Sequence, residues 1–387
     1  MPQLSKAGLS GAIAAAMAIA GFHAPAAHAM ETKGYAISWF QPAYYTGDDD
    51  CPDGVTQEID WKAIFTKEGK TPQEIAALFE HPLSPEFRKA ALERGPHGEN
   101  VCVDPASIVD TSWRTVKGKH AYGMNLDGTQ DGAVTANSCQ HEKFTGVDGA
   151  PSVDNQLYRV MGCSKIHRGS RAKDGHDAFA IEYLNERMRE GLVTYLIEVT
   201  GIQDPRNTDN VEVSVYQGID PLVQDGAGGV QADSSIRISA DTRWQSHVHG
   251  RIKDGVLTTD PFDFDLRSDA VWLPEFHFKK ARLKLDIQPD GSLKGHLGGY
   301  EDWASIFWGL AKTGFLLEKF SAGNCPAIYN AFQRMADGDK DPKTGQCTTI
   351  STDYGVEAVP AFLIHPADSK GSKTAQAAEP AKTAEAR

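Results

Sequence analysis

The chain contains no CxxC and no CxxCH, which excludes thioredoxin-type redox chemistry and c-type haem attachment. It lacks GxSxG, so a nucleophile-elbow hydrolase has no support. HExxH, P-loop and Rossmann glycine fingerprints are missing as well. His141 and Glu142 occur in "CQHEKF", but no second histidine stands at zincin spacing. No segment is long and apolar enough for a membrane span of roughly 20 residues. Cations are in the minority, 39 Lys and Arg against 52 Asp and Glu, for a net charge of −13. That balance disfavours nucleic acid and anionic membrane surfaces. It suits calcium and neutral or cationic ligands.

What is present begins with "MPQLSKAGLSGAIAAAMAIAGFHAPAAHA". One cation, Lys6, precedes an apolar run from Ala12 to Phe22, and Ala27-His28-Ala29 has the small-x-small form of a cleavage site. Residues 1–29 therefore read as a secretory signal, with the exported protein starting near Met30. The expected localisation is periplasmic or extracellular and soluble. All six cysteines follow this segment, an even count that reads as disulfides in an exported chain. They fall into three sequence neighbourhoods. Nearest-neighbour pairing predicts Cys51–Cys102, Cys139–Cys163 and Cys325–Cys347, each stabilising by about 3–4 kcal/mol.

Residues 30–115 read as a disulfide-bonded α+β region. "GYAISWFQPAYY" has the aromatic and branched residues of a strand. "TPQEIAALFEH" and "SPEFRKAALERG" are short helices, capped by Thr71 and Ser84 with proline in the first turn. Residues 116–175 are rich in Asp, Gly and Asn. A helix ending at Gly191 follows.

Residues 176–366 then alternate apolar and polar over six to eight strands, with Asp-Gly hairpin turns in "KDGV" and "QPDGSL". Helices follow in "EDWASIFWGLAKTGFLLEKFS" and "CPAIYNAFQRMADG". The fold class expected is α+β and β-rich. Its centre would be an antiparallel β-sandwich or jelly roll, with short helices on the N-terminal and C-terminal sides. Residues 367–387 have no large apolar residue and read as a disordered tail.

Three sets of residues could carry chemistry. Calcium takes six to eight oxygens, and acidic Gly/Asn loops supply them at close spacing. Asn125, Asp127 and Asp131 form one such group, and Asp148, Asp154 and Asn155 form the next. Asp337, Asp339 and Asp341 have the 1, 3, 5 spacing of an EF-hand loop. That loop has Pro342 where glycine is required and Thr348 where glutamate is, so it is not an EF-hand. Asp, Gly and Asn also simply make turns.

The third set is His247 and His249, which share one face of a strand and could share a transition metal. His277 and His296 are the only later histidines on strands, and their spacing does not match a cupin. Trp244, Trp272, Trp303, Trp308 and Tyr300 gather around the β-rich region. Trp303 and Trp308 lie on one amphipathic helix expected to pack on the sheet.

No catalytic motif is identified. The sequence favours an exported binding or structural module, with structural calcium as its expected cofactor and a small molecule, glycan or protein as ligand. The alternative is an extracytoplasmic hydrolase of a glycan or polymer, using paired carboxylates or a His/Asp metal site.

Overall fold

Eight strands carry the architecture of the computed structural model: β1 (Glu31–Pro42), β2 (Tyr195–Ile202), β3 (Thr208–Gln217), β4 (Gln245–Lys253), β5 (Val256–Thr259), β6 (Glu275–Ile287), β7 (Leu293–Asp302) and β8 (Cys347–Ile364). Each pairs antiparallel with the next in chain order, and β8 returns to pair with β1. The result is a closed up-and-down barrel. The structure describes residues 30–47, 49–55, 61–82, 84–129, 139, 141–164, 170–171, 177–178, 183–268, 275–312 and 324–366. The expected signal segment, Asp131, Trp272 and the tail after residue 366 lie outside them.

The sandwich or jelly-roll expectation is overturned by one pairing. Gly34–Pro42 of β1 lies against Tyr354–Ala361 of β8, and that seam closes the sheet on itself. Alternation within each strand is the same in a sandwich and a barrel. Only the contact between the two ends of the chain separates the two. Short strands at Ser234–Arg237, Phe262–Arg267 and Gly338–Lys340 attach outside the closed path.

Local signals hold well. Asp254 and Gly255 both take positive φ between β4 and β5, as the hairpin turn requires. β6 alternates inward Phe276, Phe278, Leu283 and Leu285 with outward His277, Lys279, Arg282 and Lys284. A register shift between Lys279 and Arg282 adds one residue, with Lys280 at positive φ. The inward side chains fill the barrel. Phe40 stacks on Tyr354 at 4.9 Å and meets Phe276 edge-on at 5.7 Å, across the interior from a strand that β1 does not pair with. Each such buried aromatic contributes about 1.5–3 kcal/mol.

Two insertions decorate the barrel. The first runs from Ala43 to Thr194, between β1 and β2. It includes α1 (Trp61–Lys67), α2 (Pro72–Glu80), α3 (Pro85–Leu92), α4 (Gln156–Met161) and α5 (Tyr183–Arg189). Thr71 caps α2 with a full capping box and Ser84 caps α3. The second insertion, between β7 and β8, holds α6 (Trp303–Lys312) and α7 (Cys325–Met335). A second core cluster joins the insertions, with Trp113, Phe144, Tyr158, Trp303, Phe307 and Phe332 buried together. Trp303 and Trp308 pack into it, while Trp244 and Tyr300 are buried.

The predicted disulfide pairing is replaced in full. The bridges are Cys51–Cys163, Cys102–Cys325 and Cys139–Cys347, spanning 112, 223 and 208 residues. None of Cys51–Cys102, Cys139–Cys163 or Cys325–Cys347 forms. Neighbours in sequence are not neighbours here, because the first insertion folds onto the second. Cys102–Cys325 ties those insertions together, Cys139–Cys347 ties the first insertion to the start of β8, and Cys51–Cys163 lies within the first insertion.

One carboxylate faces into the barrel. Glu301 is 3 % exposed and its Oε2 accepts the Tyr354 hydroxyl at 2.8 Å. Burial pushes its carboxyl up from 4.5 to about 7, although Tyr354 and Thr352 oppose the shift. Burial raises Asp337 in the same way, also to about 7. A raised folded value means that the native state holds the proton longer than the unfolded chain. Stability is therefore full below about pH 4.5 and falls as pH rises through 7. Glu301→Gln keeps an acceptor for Tyr354 and removes its share of that fall. Denaturant unfolding above pH 7 should find the variant more stable by about 2–3 kcal/mol, with little difference at pH 4.5.

Candidate functional site

The outer wall of β1, β8, β7 and β6 is built in cross-strand rows. Trp39, Glu357, Lys294 and Asp286 are successive partners across the four strands. The next row is Gln41, Gly355, His296 and Lys284. Side chains directly opposite on one face lie about 4.5–5.5 Å apart at Cβ, so each row is a line of touching neighbours. Gly355 breaks its row. A Cβ there would meet nothing nearer than the Gln41 carbonyl at 4.0 Å, so the space above it is open.

That opening is the floor of a groove of about 320 Å³, with Trp39, Tyr44, Tyr122 and His296 among its walls. A second compartment of about 270 Å³ shares Tyr122, Asp286 and His296, and adds Asp148 and Lys284. Each is near the lower limit of small-molecule sites, about 300 Å³, and together they fall within that range.

His296 sits where the compartments meet. Its Nδ1 lies 2.6 Å from Oδ1 of Asp353, whose side chain has no exposure, while the imidazole is 29 % exposed. The two are diagonal neighbours on β7 and β8. Glycines stand directly opposite both: Gly355 faces His296 and Gly298 faces Asp353. The missing side chains let the imidazole lean across to the carboxylate. The Tyr122 ring stacks on the other side, 5.4 Å away and tilted by 23°. Burial works against the charged imidazolium, but the Asp353 charge and hydrogen bond outweigh it and hold His296 above its ordinary value.

The roof of the groove depends on the acidic loops. Asn155 caps α4 by accepting the Tyr158 N–H at 3.1 Å. Its amide donates to the Ala43 carbonyl at 3.2 Å and the Tyr122 carbonyl at 3.0 Å, which fixes both flanks of the groove. Asp148 receives Lys284 at 2.9 Å and closes the far end.

Asp127 and Asp154 hold the ammonium of Lys143 between them, at 2.8 Å from Asp127 and in close contact with Asp154. Lys143 is 6 % exposed. Asp154 also accepts the Leu126 N–H at 2.8 Å. Asn125 closes a turn by accepting from Gly128 and donating to Thr129. Asp131 lies outside the described residues. The expected calcium ligands thus serve several purposes: an ammonium clamp, a helix cap and a wall of the groove.

The remaining candidates do not converge. Asp337 accepts the Ser351 N–H, Asp339 faces Lys279 and Lys280, and Asp341 turns the chain at Lys343. His247 and His249 do share the outer face of β4. His247 Nδ1 is 2.7 Å from the Ser214 hydroxyl and 3.8 Å from Glu212. Among the described residues, no three His, Cys, Asp or Glu side chains are placed to hold a metal.

Sequence reasoning passed over the His296–Asp353 pair. The signal was a strand histidine set among glycines, "KGHLGG", and an aspartate inside the strand "STDYGV". Neither suggests a partner until the register of β7 on β8 is known.

Asp353→Asn keeps the shape of the pair and removes its charge. Imidazole NMR should then show His296 titrating below the ordinary 6.5, because burial remains without the carboxylate. In the parent protein the contribution of His296 to stability is full below about pH 6.5 and is lost as pH rises through the raised value.

No family model, curated protein or solved structure matches this chain.

Proposed function

We propose that the protein is an exported binding module that holds a polar ligand in the groove on the barrel's outer wall. The observation that carries this reading is the opening above Gly355, flanked by Trp39, Tyr44 and Tyr122 and bordered by the His296–Asp353 pair. Aromatic walls with a few fixed polar groups are the usual make-up of a ligand site. The barrel interior is filled by its own aromatic side chains, which favours the outer wall over the lumen. Three disulfides favour an oxidising compartment outside the cytoplasm. Among the described residues no helix is long and apolar enough to cross a membrane.

Lys143 takes the part expected of calcium at Asp127 and Asp154. Its ammonium sits between the buried carboxylate of Asp154 and the more exposed one of Asp127. The melting temperature of the parent should then be equal in millimolar calcium and in EDTA. A rise with calcium would show that the acidic loops do bind the ion.

A second reading has one observation in its favour. An imidazole held through Nδ1 by a buried carboxylate, with no hydrogen bond to its other nitrogen among the described residues, is the arrangement of a general base. A hydrolase would lose turnover on His296→Ala while keeping ligand affinity. A binding module has no turnover to lose.

Gly355→Leu tests the groove itself. The backbone there is not in the left-handed region, and a strand interior accepts leucine readily. The variant should keep the parent's melting temperature within a degree or two and lose ligand binding, read by calorimetry. Unaltered binding would refute the location.

A further inference from the structure

The chemistry of the groove narrows its ligand. Trp39 is half-buried and begins the row that runs through Glu357 and Lys294 to Asp286. Tyr122, stacked on His296, supplies a second aromatic element where the two compartments join. The polar groups among the walls include the planar amides of Gln41 and Gln288 and the carboxylates of Glu357 and Asp286.

The cations of this wall already have carboxylate partners. Lys294 pairs with Glu357 at 2.6 Å, Lys284 with Asp148 at 2.9 Å and His296 with Asp353 at 2.6 Å. An anionic ligand would have to break one of these pairs to reach a cation, so negative ligand charge is disfavoured. A peptide laid on as an extra strand is disfavoured too. The Gly355 backbone at the groove floor is already paired on both sides, with Gln41 of β1 and His296 of β7, so the floor offers no edge. A wholly apolar ligand would cover the Gln288 amide and the Asp286 carboxylate with groups that cannot hydrogen-bond to them.

The ligand class that best fits has flat C–H faces for aromatic rings, many hydroxyls for planar acceptors and donors, and no negative charge. It is also extended, because the groove continues past Tyr122 into the second compartment. We propose that the groove binds a neutral oligosaccharide, with one sugar ring against Trp39 and a later one beside Tyr122. This rests on the groove being the binding site.

The test uses the parent protein on an array of neutral and acidic oligosaccharides and a panel of short peptides, followed by calorimetry on every hit. At least one neutral oligosaccharide should bind. Trp39→Ala should weaken it roughly ten-fold, Trp39→Phe should restore most of the loss, and Gly355→Leu should abolish binding. If Trp39→Ala misfolds, the Trp39→Phe and Gly355→Leu pair still decides. Binding of acidic glycans or peptides alone, abolished by Gly355→Leu, would overturn the neutral-glycan assignment and leave the groove intact. Glycan binding that persists in Gly355→Leu would overturn both, as would the absence of any hit.

Discussion

The seam between β1 and β8 is the constraint on which the rest of the molecule depends. It joins residues 34–42 to residues 354–361 and removes the two free edges that an eight-stranded meander would leave. The aromatic cluster around Phe40 and Tyr354 has a closed interior to fill only because this seam holds. The outer groove straddles the same seam, with Trp39 and Gln41 from one strand and Gly355 and Glu357 from the other. Cys139–Cys347 anchors the start of β8, so the covalent frame meets the hydrogen-bonded one at the closing strand.

Charge is used sparingly inside and carefully between layers. Glu301 is held among aromatic side chains by the Tyr354 hydroxyl, in surroundings that favour its protonated form. Within the barrel wall Asp353 has His296, and within the first insertion Asp154 and Asp127 have Lys143. Buried ion pairs add little net stability, but removing one partner leaves a charge that the interior cannot solvate. The insertion is held on the wall by other contacts: Lys284 pairs with Asp148, Arg282 donates to the Asn125 carbonyl and the Gln156 N–H donates to the Ser351 hydroxyl. The groove inherits that position: Asn155 fixes Tyr122, and Tyr122 rests on His296.

Much of the local structure was legible. The Thr71 and Ser84 caps, the Asp254-Gly255 hairpin and the alternating strands follow from short-range sterics and hydrogen bonding. Such signals lie within a few residues of one another. The acidic loops read as calcium ligands or as plain turns; in the fold Asp127 and Asp154 hold Lys143, and Asn155 caps α4. That Lys143 sits between Asp127 and Asp154 could not be read, because the pairing depends on strand-like bridges at Met124 and Phe144 that fold the loop on itself.

The sequence by itself determined a β-rich chain with capped helices, an even set of cysteines and an acidic surface. These properties are sums or short-range patterns. The tertiary structure decided everything that depends on meeting across a distance: barrel against sandwich, which cysteines bond, and which histidine finds an aspartate. His296 and Asp353 are 57 residues apart and meet only through the register of β7 on β8. A shift of one residue there would turn both side chains to the other face of the sheet. Register is set by the whole barrel closing at once, and no single stretch of the chain contains it.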